Sequence, residues 1–449
     1  MTDKPSASGP MGTPANRGTA AQDEVATLLS DLIRIDTTNP GDHSGPGERR
    51  AAEHVAELLA AAGLEPKVFE SHEKRASVVT RIAGTDPSRP ALLIHGHLDV
   101  VPADAEDWRV HPCSGEIEED CVWGRGAVDM KDMDAIILAV LRQRLAEGRR
   151  PSRDLVIAFL ADEEAGGTYG ARWLVDNHPE LFEGVTEAIG EVGGFSVTIG
   201  GKRLYLIQTA EKGMAWMQVT ARGVAGHGSM LQPDNAVTEV AEAVARLGRH
   251  EWPVRNTEAA FAFAKEACQA LGVEFDPENV SAVLGKLGPI AKMVGATFTN
   301  TANPTMLSAG YKVNVVPQVA TAQIDGRFLP GHEAEFFREV DTLLGPGVQR
   351  EHVHHDIAVE TTFDGDLVTA MVNALSAEDP DGQMVPYCLS GGTDAKSFAR
   401  LGIRCFGFTP LQLPAELDFA GMFHGIDERV PVAALQFGTR VLDNFLDLC

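Results

Sequence analysis

Two stretches of this chain join an apolar strand pattern to a polar ending, and they constrain the fold more than any other feature. One reads LLIHGHLDVVP over residues 92–102, and the other reads DLVIAFLA over residues 154–161. Short, nearly continuous apolar runs are typical of strands buried on both faces of a parallel sheet. In the first run His95, His97 and Asp99 alternate, so in a strand all three point to the same face. Because buried polar groups are costly unless they are hydrogen-bonded or bind a metal, this stripe needs partners from elsewhere in the chain.

Strand and helix patterns alternate through the first half of the chain and return near its end. Residues 47–64 and 132–148 have the apolar spacing of helices, and the two strand-like runs lie between and after them. This alternation predicts an α/β fold, a three-layer α/β/α domain with a largely parallel sheet. His95, on the stripe, is interpreted as a buried, hydrogen-bonded histidine, or as a group that supports a metal ligand, rather than as a ligand itself.

The pattern changes at about residue 209, where strands of alternating polarity and helices follow one another without a βαβ rhythm. This change predicts a smaller α+β domain inserted into the first. The predicted division is therefore a disordered tail at 1–22, a first domain in two parts at 23–208 and 363–449, and an inserted domain at 209–362.

The charge and the cysteines limit partners and location. Lys and Arg number 38 and Asp and Glu 64, which gives a net charge of −26. This excess repels phosphate backbones and anionic lipids, so we expect neither nucleic acid nor membrane as a partner. The six cysteines are scattered without a C-x-x-C pair, as reduced thiols would be. The opening segment is polar and lacks the apolar core of a signal peptide, and a cytoplasmic location is expected.

Polar residues able to bind metals follow several of the predicted strands. Ligands collect at the carboxyl ends of strands in α/β sheets, and these residues are expected to meet there: His97, Asp99, Asp129, Glu163, Glu164, Glu191 and His424. Carboxylates gathered so closely would repel one another, whereas two divalent cations would neutralise them. Mixed imidazole and carboxylate ligands suit zinc, with cobalt or manganese as alternatives.

The doublet Glu163–Glu164 indicates what such a centre would do. Adjacent residues at a strand end project in different directions, so one can bind a metal while its neighbour acts on a bound water. A metal-activated water and a carboxylate base are the usual components of hydrolysis. Asp99 is interpreted as a group that fixes the His97 ring rather than as a ligand.

Eight segments in order along the chain resemble the signatures of one metallopeptidase family. They read HGHLDVVP, GRGAVDMKD, LADEEAGGTYG, AGHGS, NVVPQ, DGRFLPG, SGGTDAKSF and FHGIDERV. The family is the co-catalytic zinc group of aminoacylase, glutamate carboxypeptidase, acetylornithine deacetylase, succinyl-diaminopimelate desuccinylase and cytosolic dipeptidases. The resemblance implies a zinc-exopeptidase-like catalytic domain and an inserted lid or dimerisation domain.

The resemblance also implies a role for each matching residue. It makes His97 and His424 terminal ligands of two metals bridged by Asp129, with Glu164 on one metal and Glu191 on the other. This chain reads GEVGGF around Glu191, where many members read E-G-G-G or E-P and other branches use aspartate. Glu163 is similar to the family's general base and acid, and Asp99 to the carboxylate that orients the histidine.

Further implied residues would contact the substrate. His227 resembles the lid histidine that stabilises the oxyanion and that, in dimeric relatives, comes from the partner subunit. Asn314, Arg327 and the backbone of Gly391–Gly392 resemble groups that hold the substrate's carboxylate. A cis peptide bond after Asp129 and a homodimer formed through the inserted domain are also implied.

The predicted function is hydrolysis of an amide or peptide bond next to a free carboxylate, as in carboxypeptidases and dipeptidases. A water activated by two metals and deprotonated by Glu163 would attack the carbonyl of a small peptide. An N-acyl-amino-acid deacylase of the aminoacylase, deacetylase or desuccinylase type remains an alternative, because it shares the chemistry. The alternative of a different class is a metal- or peptide-binding homologue without catalysis.

Overall fold

The structure is a computed structural model that describes residues 20–277, 280, 284–287 and 290–449. Most of the predicted tail, residues 1–19, lies outside the described residues, and the first helix begins within the predicted tail, at Ala21. The helices are α1 Ala21–Arg34, α2 Arg49–Ala61, α3 Lys131–Ala146, α4 Ala171–Asn177, α5 Ala236–Arg249, α6 Glu258–Leu271, α7 Ile290–Gly295, α8 Glu333–Leu344, α9 Asp366–Glu378, α10 Ala395–Ala399 and α11 Val432–Leu448.

The strands form a large sheet, a smaller sheet and two short ribbons. They are β1 Lys67–His72, β2 Arg75–Ile82, β3 Ala91–His97, β4 Ile117–Glu118, β5 Cys121–Trp123, β6 Leu155–Leu160, β7 Val185–Gly190, β8 Ser196–Ile199, β9 Lys202–Glu211, β10 Gly213–Arg222, β11 Gly226–His227, β12 Thr301–Ala309, β13 Val315–Val316, β14 Val319–Phe328, β15 Val348–Asp356, β16 Val359–Glu360, β17 Gln383–Leu389, β18 Arg404–Gly407 and β19 Arg429–Pro431.

The large sheet has its parallel strands at its centre. Its order is β1-β2-β6-β3-β7-β18-β9-β16, and β17 and β8 also pair with β9. The pairs β6–β3, β3–β7 and β7–β18 are parallel, whereas β1, β2, β8 and β16 pair in antiparallel fashion. The predicted parallel sheet is thus confirmed at its centre, and its edges make it a mixed sheet. Strands β3 and β6 are buried at every residue, as their unbroken apolar sequences predict.

Helices cover both faces of the large sheet, which confirms the three-layer prediction. In β3, Leu92 and Ile94 belong to one buried cluster, which includes α1, α3 and α11. Leu93, on the opposite face, belongs to a second cluster with α4 and α10.

Helix α3 differs from its predicted amphipathic character. It is buried on all sides through its first three turns, and Asp132 and Asp134 are as inaccessible as the apolar residues between them. The helix packs against β3, α1 and α11 at once, so its first three turns have no solvent-facing side. The sequence pattern shows an apolar face but not how many neighbours will cover the helix.

The smaller sheet is antiparallel, in the order β12-β14-β10-β15. Its strand β14 alternates strictly between half-buried and buried residues, and helices α5 and α8 cover the buried face. The chain enters this sheet from β9 and returns from β15 to β16, which pairs with β9 again. These features confirm the predicted α+β insertion in an α/β fold.

One part of the predicted insertion packs elsewhere. Helix α6 contacts β17, β8 and β9 of the large sheet, and α7 contacts β17. The apolar faces of both helices enter the core of the large sheet through Phe263, Ala267, Ile290 and Val294. Apolar periodicity predicts that a helix has a buried face, but it does not specify which of two cores receives that face.

Lys396 in α10 contacts both crossings between the two sheets. Its ammonium donates to the carbonyl oxygen of Lys212, between β9 and β10, and to that of Ile357, between β15 and β16, at 3.0 Å.

Of the helices in the described part of the chain, none has the length and hydrophobicity that a bilayer crossing requires.

Candidate active site and metal centre

Three neighbouring strands deliver the first group of polar side chains. His97 is the last residue of β3, Glu163 and Glu164 lie in a 3₁₀ turn after β6, and Glu191 follows β7. Because β6, β3 and β7 are adjacent and parallel, their carboxyl ends bring these residues to one edge. The Nε2 atom of His97 lies 3.3 Å from Oε2 of Glu191 and 3.9 Å from Oε2 of Glu163.

Asp129 lies between two histidines that are distant in sequence. Its Oδ1 lies 3.1 Å from Nε2 of His97, and its Oδ2 lies 3.3 Å from Nε2 of His424. Asp129 lies two residues before the start of α3, and its peptide bond to Met130 is cis, as the resemblance implies. His424 lies on an irregular segment before β19 and is also 3.1 Å from Oε2 of Glu164.

This arrangement fits two cations that share one carboxylate. The ligand atoms of His97, Asp129 and Glu164 lie within 4.8 Å of one another, and so do those of His97, Glu163 and Glu191. Within the described residues, Oε1 of Glu164 is buried without a hydrogen-bond partner. The donors are imidazole nitrogens and carboxylate oxygens, which zinc and similar divalent ions accept. The predicted set of metal-binding residues is therefore brought together.

The acidic residues of this cluster are costly to ionise without a cation. Burial raises the pKa of Glu191 to about 7, and burial together with the charge of Glu191 raises the pKa of Glu163 well above its ordinary value. The pKa of Glu164 is raised by burial as well. A divalent ion would favour the charged forms of all three carboxylates.

The pKa values of the two histidines are raised and that of Asp129 is lowered, so all three side chains favour their charged forms. Hydrogen bonds to Asp129 and Glu164 raise the pKa of His424 to about 10. Burial alone would lower the pKa of His97, but Glu191 and Asp129 raise it well above its ordinary value. Burial would raise the pKa of Asp129, but hydrogen bonds to His424 and His97 lower it. Without metal, protons on the two imidazoles therefore compensate part of the negative charge.

Asp99 lies beneath the turn that carries the two glutamates. Its Oδ1 accepts the backbone N–H of Glu163 at 3.0 Å, and its Oδ2 accepts that of Glu164 at 3.1 Å and the side-chain amide of Asn39 at 2.8 Å. Nδ1 of His97 is 3.0 Å from the backbone oxygen of Asp99 but 3.7 Å from its carboxylate. The prediction that the carboxylate orients the ring stays a prediction: the carbonyl is nearer to the ring, and the carboxylate also holds the turn.

A cavity of about 500 Å³ opens over these residues. Arg327, Gly391 and Gly392 line it, together with Asp129, Glu163, Glu164, Glu191 and His424. Nε and Nη2 of Arg327 donate to the carboxylate of Asp325 at 2.7 and 3.3 Å, which restrains the guanidinium. The apolar part of the lining, the apolar wall, consists of Val192, Met214, Trp216, Met293, Leu389, Ala420 and Phe423.

His227 and Asn314 lie apart from this cavity. Both residues are described, both are exposed, and neither lines the cavity of this chain. They lie close together on the small ribbon β11–β13, where the backbone N–H of Gly228 donates to the carbonyl of Asn314 at 3.0 Å. Their predicted contacts with substrate stay predictions, because a single chain does not bring them to the site.

A sequence profile of peptidase family M20/M25/M40 matches residues 93–448, which is most of the chain. The chain belongs to this family. The family resemblance predicted from the sequence is thereby confirmed, as is the prediction of a hydrolase that acts on amide bonds.

Individual M20/M25/M40 relatives include both deacylases and peptidases. The N-fatty-acyl-amino acid synthase/hydrolase PM20D1 of Xenopus tropicalis is 27% identical over 450 residues, covering 92% of this chain and 83% of the relative. Aminoacylase-1 of Sus scrofa is 26% identical, covering 96% and 97%. The fold is similar to that of the M20 family metallo-carboxypeptidase Sso-CP2 from Sulfolobus solfataricus, with a TM-score of 0.72, 19% identity and coverage of 95% and 99%.

Several residues that support the M20/M25/M40 site carry no signal of their own in the sequence. Asn39 binds Asp99 and also contacts Asp162, and its Oδ1 accepts a hydrogen bond from Arg75 at 2.7 Å. Arg75 in turn is paired with the buried Glu48. Asn39, Arg75 and Glu48 lie outside the quoted motifs, and only the folded chain brings them under the candidate active site.

His95 is buried against Phe398, and burial lowers its pKa to about 3, so it is a neutral core histidine.

Proposed function

We propose that this protein is a carboxypeptidase- or dipeptidase-like hydrolase that cleaves an amide bond next to a free carboxylate. The observation that carries the proposal is the position of Asp129, whose two oxygens face His97 and His424 separately. This geometry suits a carboxylate that bridges two ions, and Glu163 lies beside it, 3.9 Å from His97.

The residues proposed to hold two ions are His97, Asp129 and Glu191 for one, and His424, Asp129 and Glu164 for the other. When bound, two divalent cations would polarise the scissile carbonyl and lower the pKa of water. Zinc is the proposed metal, since mixed imidazole and carboxylate donors suit it, and cobalt or manganese would fit the same donors.

Glu163 is the proposed base because its carboxylate lines the cavity and is not needed as a ligand. It would accept a proton from the attacking water and later deliver it to the departing amine. Asp99 would hold Glu163 and Glu164 in place through their backbone N–H groups. His227 is proposed to stabilise the oxyanion.

The substrate's carboxylate is proposed to bind between Arg327 and the backbone of Gly391–Gly392. A guanidinium has five N–H donors, and Asp325 engages two of those in Arg327, so donors remain for a second carboxylate. Asn314 is proposed to join this group. The apolar wall of the cavity would receive the side chain or acyl group on the other side of the scissile bond.

A deacylase for N-acyl amino acids is the second candidate. Its specific support is the same apolar wall, which includes Trp216 and Met293 and would suit the acyl group of such a substrate. A binding protein without catalysis is less well supported, because the predicted ligands and the base are all retained and lie together.

Homodimerisation through the inserted domain is proposed to complete the site. Strand β12 is an edge strand of the small sheet, and His227 and Asn314 lie in an exposed region rich in apolar side chains. These exposed residues are Met230, Leu231, Met306, Leu307, Tyr311 and Val313. Large exposed apolar surfaces of this kind mark interaction sites, and a partner subunit could bring its own His227 to the cavity.

A small peptide or N-acyl amino acid is the proposed substrate, and the cytoplasm is the proposed location. The location is supported by six free cysteines, of which Cys268, Cys388, Cys405 and Cys449 are buried.

The test is a substrate screen with protein loaded with zinc, cobalt or manganese. Dipeptides and N-acyl amino acids would be compared with the same compounds carrying a C-terminal amide. Hydrolysis of the free acids with weak hydrolysis of the amides supports the proposal, and relative rates on the two substrate classes separate peptidase from deacylase. No hydrolysis of either class by protein containing two ions would contradict it.

A further inference from the structure

Among the residues around the metal centre, His424 has the least support from its own surroundings. Its side chain is 56% exposed, whereas those of Asp129 and Glu164 are 11% and 4% exposed. It lies outside regular secondary structure, and both His424 and Asp427 have left-handed backbone angles, with φ of 56° and 53°. Such a segment needs contacts from outside itself to keep one conformation.

Glu428 supplies these contacts from the end of the same segment. It is fully buried, and its Oε1 accepts the backbone N–H groups of Gly126, Val128 and Asp129 at 3.0, 2.7 and 3.1 Å. Its Oε2 accepts Nη1 of Arg125 at 2.7 Å. An ionised carboxylate only accepts hydrogen bonds, which suits a site where every neighbour is a donor.

Arg125 completes the connection back to the histidine. Its Nη2 donates at 2.9 Å to the carbonyl of Gly425, the residue after His424. The backbone N–H of Gly124 donates to the carbonyl of Glu428 at 2.9 Å. The loop that presents Asp129 and the segment that presents His424 are therefore joined at both ends of the segment.

We propose that Glu428 and Arg125 are positioning residues that set the distance between Asp129 and His424. Neither residue is among the described residues that line the cavity, so both act through the metal-binding residues and not on the substrate. The ion held by His424, Asp129 and Glu164 depends on them, whereas the ion held by His97, Asp129 and Glu191 has His97 and Glu191 fixed by the large sheet. This inference rests on the proposed two-metal function.

Glu428→Gln is the most direct variant, because it keeps the size of the side chain. Its amide would present N–H groups to donors, either to Arg125 or to the three backbone amides. Changes to residues behind metal ligands typically weaken metal affinity by about 10–100-fold. We expect the affinity for the second zinc ion in a calorimetric titration to fall by this factor, and the affinity for the first ion to change by less than about threefold.

Asp379→Asn is the matched control. Asp379 is a buried carboxylate that also accepts several hydrogen bonds, from Arg203 at 2.5 Å, Tyr205 at 2.7 Å and Gln412 at 3.1 Å. It lies outside the cavity lining, so its variant is expected to lose thermal stability while retaining both zinc affinities. Arg125→Lys is the second test variant, since a lysine cannot bridge Glu428 and Gly425 in the same way.

The outcomes separate this inference from the proposed function. Two ions bound by the wild type, with the second selectively weakened in Glu428→Gln or Arg125→Lys, support it. Wild-type affinities in the folded variants, or an equal loss of both ions, overturn it and leave the proposed function intact. A wild-type protein that binds fewer than two ions overturns the proposed function and this inference with it.

Discussion

The carboxylate of Asp99 accepts a hydrogen bond from the backbone N–H of Glu163 at 3.0 Å. The proposed base is thus held through its main chain by a residue from the neighbouring strand end. Asp99→Asn would place an N–H donor against one of the amides that now donate to Asp99, and the turn would shift. We expect kcat to fall about 10–100-fold with the folded structure retained. Steady-state kinetics and metal analysis check this, with Asp154→Asn, whose carboxylate pairs with Arg81 far from the cavity, as the control.

Glu163→Gln tests the base itself. The amide cannot take up a proton, so kcat should fall by about 10²–10⁴-fold, the usual contribution of acid–base catalysis. Metal content should stay near that of the wild type, whereas Asp129→Asn should lose metal. Turnover and metal content are measured on the same preparations, the latter by elemental analysis. A Glu163→Gln protein with normal turnover would refute the proposed role of Glu163 as the base.

The metal-free protein should become less stable as the pH rises from 5 to 7. The folded state binds protons more tightly than the unfolded chain at Glu191, whose pKa rises from 4.5 to about 7, and at His424, whose pKa rises from 6.5 to about 10. The contribution of these two groups to the free energy of unfolding therefore decreases between about pH 4.5 and pH 10, whereas Lys131 and Lys212, whose pKa values burial lowers to about 8 and about 7, contribute in the opposite sense above about pH 7. Urea titrations in chelator at pH 5, 7 and 9 measure this, and His424→Gln should flatten the upper part of the curve.

Zinc should reverse that trend, because ligands must be deprotonated to bind it and binding stabilises the fold. Stabilisation by zinc should increase from pH 5 to pH 8. Equal stabilisation at both values would show that the two imidazoles do not bind the ion.

Trp216 is expected to select substrates with large apolar groups. Loss of the ring removes apolar contact worth about 1.5–3 kcal/mol, so Trp216→Ala should lower kcat/KM about 10–100-fold for bulky acyl or side-chain groups. An acetyl or glycyl substrate should change little. Trp173→Ala is the control, since Trp173 packs against His178 and does not line the cavity.

His227 is expected to act across a dimer interface. Glu163→Ala and His227→Ala proteins should each be inactive alone. After mixing and subunit exchange, a mixed dimer has one complete site, so activity should return to roughly a quarter of the wild-type value. No recovery, although sizing shows mixed dimers, would indicate that His227 acts within its own subunit or not at all.

The sequence predicts the residues at the strand ends well because local pattern determines them. His97, Glu163, Glu164 and Glu191 each follow an apolar strand, and parallel strands deliver their carboxyl ends to one edge. The contacts of Glu428 were not predicted, although it lies within the quoted FHGIDERV, because its partners are backbone amides far away in the chain. The side on which α6 packs also depends on tertiary contacts that periodicity does not encode.

Two apolar residues that line the cavity belong to different parts of the fold. Trp216 belongs to β10 of the small sheet, whereas Met293 belongs to α7, which packs on the large sheet. A rotation of one sheet relative to the other about the crossings that Lys396 binds would therefore change the distance between them. Substrate length would then be gauged by the angle between the sheets, so a substitution far from the chemistry, at the crossings, could change which substrates fit.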